Sequence, residues 1–364
     1  MQEKEYYFWL HSRDGIGNIK RAKLLKYFGT AKEVFRAKKE QLEEVKGITA
    51  NDIVKITKER NEEIIHRRYE DLLKRGISFI LRGENEYPEC LKNIYDSPDA
   101  LYLRGKFPNK IKKAIAIVGA RNCSNYGIEM ANYFGNELAK AGIEIISGLA
   151  RGIDTAAHKG ALKALEGATY AVLGCGIDRC YPIENLELFL EMEKRGGIIS
   201  EFGIGVSPKA GNFPMRNRII SGLCDGILVI EAKEKSGSLI TASLGLEQGK
   251  DIFSLPGRSC DVLSKGCNNL IKQGGFLVDS PEDIIEFYGV QWNTIWKENE
   301  ISKKFLDLRW EMVYSDLSLE PKHITCIMED TKLSLAEIME VLLALEMRGY
   351  VKKISGNYYV LAIN

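Results

Sequence analysis

Between Ile77 and Gly289 the chain repeats one phrase: a short run of apolar residues, a glycine, then apolar residues at helical spacing. A strand buried on both faces shows no polar alternation, and parallel neighbours need a helix to carry the chain back, so the phrase specifies parallel β/α units. The predicted strands are 114–118, 143–147, 169–173, 197–200, 226–230, 252–255 and 276–278, with helices over 127–141, 155–165 and 239–248. Such units wind into a sheet covered by helices on both faces, and ligands then sit beyond the carboxyl ends of the strands.

The flanks read differently. Residues 1–75 have helical spacing, as in Leu24, Leu25, Phe28 and Ile64, Ile65, Tyr69, Leu72. They form a predicted helical domain of the sterile-alpha-motif or helix-hairpin-helix kind. Gly15-Ile16-Gly17, and more weakly Gly47-Ile48, are its candidate phosphate-approaching turns, with a purely structural bundle as the alternative. After Gly289 the composition shifts through Gln291-Trp292-Asn293-Thr294-Ile295-Trp296 into a charged linker. Residues 303–364 then read as helices followed by a hairpin around Gly356-Asn357, the winged-helix pattern. Its predicted recognition helix carries Glu337, Glu340 and Glu346 against Arg348, which favours contact with protein over DNA. The expected fold is α/β: an extended Rossmann-like, doubly wound sheet over 76–290, with a small N-terminal helical domain and a C-terminal winged helix.

Composition narrows the function. Of 364 residues 45% are hydrophobic and 28% charged, as in ordinary globular chains. The acidic start, Met1-Gln2-Glu3-Lys4-Glu5, leads into no long apolar stretch, so a cytoplasmic protein without membrane anchoring is expected. Eight scattered cysteines, none in a CxxC pair, predict reduced thiols and no zinc. A net charge of +1 gives no global pull on nucleic acid, so binding must use local charge. Between Phe202 and Cys224 three cations, Lys209, Arg216 and Arg218, stand without an acid.

Three glycine-rich turns end predicted strands: Gly119-Ala120-Arg121, Ser147-Gly148-Leu149-Ala150-Arg151-Gly152 and Ser236-Gly237-Ser238-Leu239-Ile240-Thr241. Glycine lets amides approach an anion, the following helix start favours negative charge, and serines add donors. Three such turns at one sheet edge, two containing arginine, point to a phosphate or nucleic-acid site. The segment Lys209 to Arg218 adds cations around Phe213, the combination that an unstacked single strand uses. The structural alternative has Phe213 and Pro214 stapling the next helix and Arg216 paired with a surface acid. Asp154 and His158, four apart, are expected to be structural, since one histidine without a second ligand makes no metal site. No serine or cysteine has a base partner at a motif spacing, so no catalytic residue is assigned.

In these motifs the chain resembles the DNA-processing protein A family, DprA or Smf. The resemblance runs from Asn85-Glu86-Tyr87-Pro88, Pro98-Asp99-Ala100-Leu101-Tyr102 and Arg104-Gly105 through the first two turns to Ala156-Ala157-His158. It continues with Phe213-Pro214, Arg216-Asn217-Arg218-Ile219-Ile220-Ser221-Gly222, the Ser236 turn, Pro256-Gly257 and Asn268-Asn269-Leu270-Ile271. It implies a homodimer that binds single-stranded DNA and loads RecA recombinase on DNA entering by natural transformation. By the same resemblance, Gly119, Arg121, Ser147, Gly148 and Arg151 with Ser236, Gly237 and Ser238 line a phosphate pocket. Lys209, Phe213, Arg216 and Arg218 then flank the strand.

The rival class is a Rossmann-fold phosphoribohydrolase-like enzyme, in which Glu201, Glu231 or Glu247 would have to activate water. Its Pro-Gly-Gly-x-Gly-Thr-x-x-Glu loop is absent from this sequence. A third reading is an adaptor working through the winged helix.

Overall fold

The computed structural model describes residues 1–290 and 308–362, so the expected linker and the start of the third region at residue 303 lie outside the described residues. Six helices come first: α1 Glu3–His11, α2 Asn18–Phe28, α3 Ala31–Arg36, α4 Lys39–Glu43, α5 Ala50–Thr57 and α6 Glu62–Lys74. Three begin on side-chain caps, with Thr30, Thr49 and Asn61 accepting the N–H three residues on.

The strands of the large sheet are β1 Ser78–Leu81, β2 Ala100–Gly105, β3 Ala114–Val118, β4 Glu144–Ser147, β5 Thr169–Leu173, β6 Gly197–Ser200, β7 Gly226–Val229, β8 Asp251–Ser254 and β9 Phe276–Leu277. Between them run α7 Glu89–Lys92, α8 Asn125–Lys140, α9 Ile153–Lys163, α10 Leu186–Arg195, α11 Asn212–Leu223, α12 Gly237–Glu247, α13 Lys265–Lys272 and α14 Pro281–Phe287. The sheet order is β1-β2-β6-β5-β4-β3-β7-β8-β9. From β6 to β9 every pairing is parallel, whereas β1 and β2 add an antiparallel edge. The seven predicted strands are these parallel ones, and the fold is the expected mixed α/β sheet. The antiparallel pair escaped the pattern because β1 returns to β2 through a loop and the four-residue α7, too short a helix to read as a parallel crossover.

In this order β3 is the switch point, with β4 to β6 winding to one side and β7 to β9 to the other. The passage from β6 to β7 must therefore cross the sheet, and it carries α11, which starts at the cleft and packs Ile219, Ile220 and Leu223 in one apolar cluster with Ala116, Ile146 and Val172. Side chains of β3, β4 and β5 are all buried, which explains their largely apolar sequences, while the polar Ser147 and Thr169 among them hydrogen-bond main-chain carbonyls.

The helical N-terminus is not a separate core. One apolar cluster runs from Trp9 and Leu24 through Phe79 and Tyr102 to Leu173 and Ile198. Phe8 meets Phe79 at 5.7 Å and Tyr102 at 6.4 Å, edge to face. Arg21 forks onto Asp99 at 2.6 and 2.9 Å, and Asn18 donates to Glu201 at 2.7 Å. The change of pattern near residue 75 thus separates two sequence periods inside one packed body.

Beyond the linker come α15 Leu308–Asp316, β10 Lys322–His323, α16 Ile324–Thr331, α17 Leu335–Met347, β11 Val351–Lys353 and β12 Tyr358–Leu361. The three strands form an antiparallel sheet, β10-β12-β11, over a cluster of its own that includes Val313, Ile327, Ile338, Leu342 and Leu345.

Candidate nucleic-acid interface

The turns after β3, β4 and β7 meet at the switch point, where they wall a cleft of about 530 Å³. The second turn is held from inside. The buried Asp154 carboxylate accepts the N–H groups of Gly148 at 3.1 Å and Ala150 at 3.4 Å, and Thr155 Oγ1 donates to the Ala150 carbonyl at 2.6 Å. Burial raises the Asp154 pKa, opposed chiefly by the charge of Arg216. Gly152 has φ +77°, and a Cβ there would stand 2.4 Å from the Ala120 carbonyl oxygen. The first and second turns therefore pack backbone against backbone, and Ala120 N–H reaches the Glu231 carbonyl at 2.7 Å to tie both to β7.

Arg216 forms the floor. It is 4% exposed, and its Nη1 donates to the carbonyls of Gly148, at 2.8 Å, and Val172. Burial pushes its pKa down to about 10, Asp154 pulls it back up and Arg121 pushes it down, so it remains a cation at neutral pH. Gly148 is a glycine for Arg216: an added Cβ would lie 2.0 Å from Nη1. Its closest approach is to protein, whereas Gly237 on the third turn has no heavy atom within 4 Å of a built Cβ and faces open space. Ser236 caps α12, accepting the Ser238 N–H at 3.4 Å, while the two hydroxyls meet at 2.8 Å.

The rim is exposed. Arg121 places Cζ 5.0 Å from the Phe213 ring centroid, and no carboxylate among the described residues lies within ion-pair distance of it. Phe213 is half-buried, with Gly174 against its edge and Tyr181 at 5.9 Å. Arg151 is exposed and pairs with Glu184 at 2.6 Å. Lys209 is exposed on the loop entering α11, where its carbonyl accepts the Asn212 N–H at 2.9 Å.

The structure thus brings Gly119, Arg121, Phe213, Arg216, Ser236, Gly237 and Ser238 to one cleft, with Gly148 and Arg151 on an adjoining depression. It places three of the expected residues outside both: Lys209 on the exposed loop beside Pro208 and Ala210, and Ser147 and Arg218 in the interior. Ser147 is fully buried and spends its hydroxyl on the Ile117 carbonyl at 2.6 Å. Arg218 is 6% exposed and bound to Glu201 at 2.6 Å, with Asp96 at 3.4 Å. Both belong to the scaffold, since helical spacing turns Arg218 away from the face that carries Arg216. The structural alternative for Arg216 is corrected as well, because its partners are buried carbonyls rather than a surface acid.

His158 is buried against the Thr169 hydroxyl at 2.7 Å, and burial depresses its pKa to about 3. Glu231 caps α8 through Ser124, and Glu201 is held by Arg218 and Asn18. No cluster of three metal-ligating side chains occurs among the described residues. Sequence reading passed over Tyr181, which lines the cleft from the loop after β5; an aromatic following a parallel strand at the ligand edge was the available signal.

The family model for DNA recombination-mediator protein A matches residues 78–289. Protein Smf of Escherichia coli is 38% identical over 278 residues, covering 75% of this chain and 74% of that protein. The X-ray structure of DNA processing protein A from Streptococcus pneumoniae superposes with a TM-score of 0.62 at 34% identity, covering 80% of this chain and all of that one. DNA processing protein A from Helicobacter pylori, reported with a unique single-stranded DNA binding mode, matches with a TM-score of 0.52 at 30% identity over 58% of this chain and 95% of that one. The sheet order, the switch-point cleft and these matches agree, and the chain belongs to the DNA recombination-mediator protein A (DprA/Smf) family.

Proposed function

We propose that the chain binds single-stranded DNA in the switch-point cleft and, as a homodimer in the cytoplasm, loads RecA recombinase onto DNA taken up in transformation. The observation that carries the binding step is Arg121: an exposed guanidinium with no carboxylate in ion-pair distance among the described residues, lying over an aromatic ring beside the open start of α12. The arrangement offers charge to a phosphate and a ring to an unstacked base, whereas a duplex hides its base faces. A volume near 530 Å³ suits a nucleotide or two of a strand that continues outside. The phosphate donors are Arg121, Ser236, Ser238 and the Gly237 amide, with Arg151 and Lys209 at the margins. The family description as recombination mediators supports the RecA step. The β9 edge, with Phe276 and Phe287 each more than 40% exposed, suits a second copy. The C-terminal unit, read as a winged helix, contacts protein.

The chain acts by binding and not by catalysis. Among the described acids near the cleft, Asp154 gives one carboxylate oxygen to two amides and Glu201 and Glu231 are held by the scaffold, which argues against a phosphoribohydrolase. The test is titration with labelled oligonucleotides beside a nucleotide-hydrolysis assay. Single strands should bind more tightly than duplex of equal length, with affinity falling as salt rises. Equal affinity for blunt duplex, or hydrolysis that depends on Arg121, would move the protein to another class.

A further inference from the structure

Phe213 is not the freest aromatic surface at the cleft. Gly174 lies so close that a Cβ there would be 2.8 Å from Phe213 Cδ1, and the Arg121 guanidinium covers the ring at 5.0 Å. Tyr181 stands beside it with centroids 5.9 Å apart and planes inclined by 35°, and it is 44% exposed. Its ring forms part of the wall of the main cleft and of an adjoining depression, which it shares with Arg121, Arg151 and Phe213. Beyond it, Arg151 is held among the described residues by Glu184 alone, and both side chains are at least half exposed. An exposed pair of this kind is weak and exchanges readily for a phosphate.

Resting on the single-strand reading, we propose that Tyr181 is a second base platform, an outer subsite where the next nucleobase stacks and its phosphate takes Arg151 from Glu184. The strand then crosses the carboxyl edge from the α12 side of the cleft, past Phe213, to the loop after β5. The ligand class is any nucleobase, since stacking uses the ring face common to all four.

The test uses the full chain, a fluorescein-labelled oligothymidylate, and Tyr181→Ala, Tyr181→Phe and Glu184→Gln. Tyr181→Ala should weaken binding about five- to a hundredfold, while Tyr181→Phe, which keeps the ring, should stay within about twofold. Glu184→Gln should tighten binding severalfold at low salt, and the gain should shrink as salt rises. Gained affinity cannot arise from misfolding. In a parallel experiment, an oligonucleotide bearing 5-iodouracil is irradiated in the complex and the adduct is mapped; the inference expects it on Tyr181. Unchanged affinity in Tyr181→Ala overturns the subsite, as does lost affinity with the adduct found only at Phe213, for Tyr181 would then merely support that ring. An inert Glu184→Gln removes the exchange at Arg151. Wild-type chain that binds no single strand sinks the single-strand reading itself, whereas binding indifferent to Tyr181 sinks this inference alone.

Discussion

The floor and the rim of the cleft are built from the same residue types for opposite purposes. On the floor Arg216, and in the scaffold behind it Arg218, are buried, their guanidinium groups bound to main-chain carbonyls and to Glu201. On the rim, Arg121 and Arg151 are exposed, one over a ring and the other in a surface ion pair. A buried cation is tolerated when hydrogen bonds replace its water, and it then fixes the geometry around it. An exposed cation keeps its water and its freedom to meet a ligand. Lying close in sequence to a cationic motif is therefore not the same as lying in the site. Arg216 and Arg218 flank Asn217 on one helix, but Arg216 underpins the cleft and Arg218 ties α11 to Glu201 and Asp96.

The largest effect should come from the floor. Arg216→Ala strips the buried Gly148 and Val172 carbonyls of their donor, a loss of about 2 to 6 kcal/mol at roughly 1 to 3 for each group left unsatisfied. Thermal unfolding should shift down by roughly ten degrees. A variant that melts like wild type and loses only DNA binding would place Arg216 with the rim and break the contrast.

Next is Arg121→Ala, which should leave the melting temperature within about a degree and weaken single-strand binding by tens-fold. A charge-assisted contact to phosphate is worth about 1.5 to 3 kcal/mol. Arg121→Lys should restore part of the affinity, because an ammonium lacks the planar fork. Paired titration and melting curves decide the matter: wild-type affinity in folded Arg121→Ala protein would remove Arg121 from the interface.

The smallest effect is expected from ending the chain at residue 300. The third unit has its own apolar cluster, and its longest helix exposes Glu340 and Glu346 beside Met339 and Leu343, a surface that repels phosphate. Single-strand affinity should stay within about a few-fold of the full chain. A loss near a hundredfold would show that the strand runs onto this unit and that the cleft is only half of the interface.

Much of this was legible in advance because periodicity is a local property. The parallel strands, the helices between them and the three turns follow from residue spacing, and their meeting at one edge follows from the rule that a doubly wound sheet collects its turns at the carboxyl ends. The edge strands β1 and β2 carried no such phrase and appeared only with the fold. Spacing also changes near residue 75, close to where the family match begins, but spacing reports secondary structure, and whether Phe8 packs on its own helices or on Phe79 is a question of contact.

By itself the sequence determined which chemistry the chain can offer: glycine turns, a local excess of cations and an aromatic residue, on a scaffold that brings them to one edge. Only the tertiary structure decided which of those groups remain available. Ser147 and Arg218 are consumed by the scaffold and Arg216 by the floor, whereas Arg121 and Tyr181 keep solvent-facing surface. Burial depends on neighbours distant in the chain, and those neighbours set both the cost of leaving a polar group unpaired and the freedom of a charged one to bind something else.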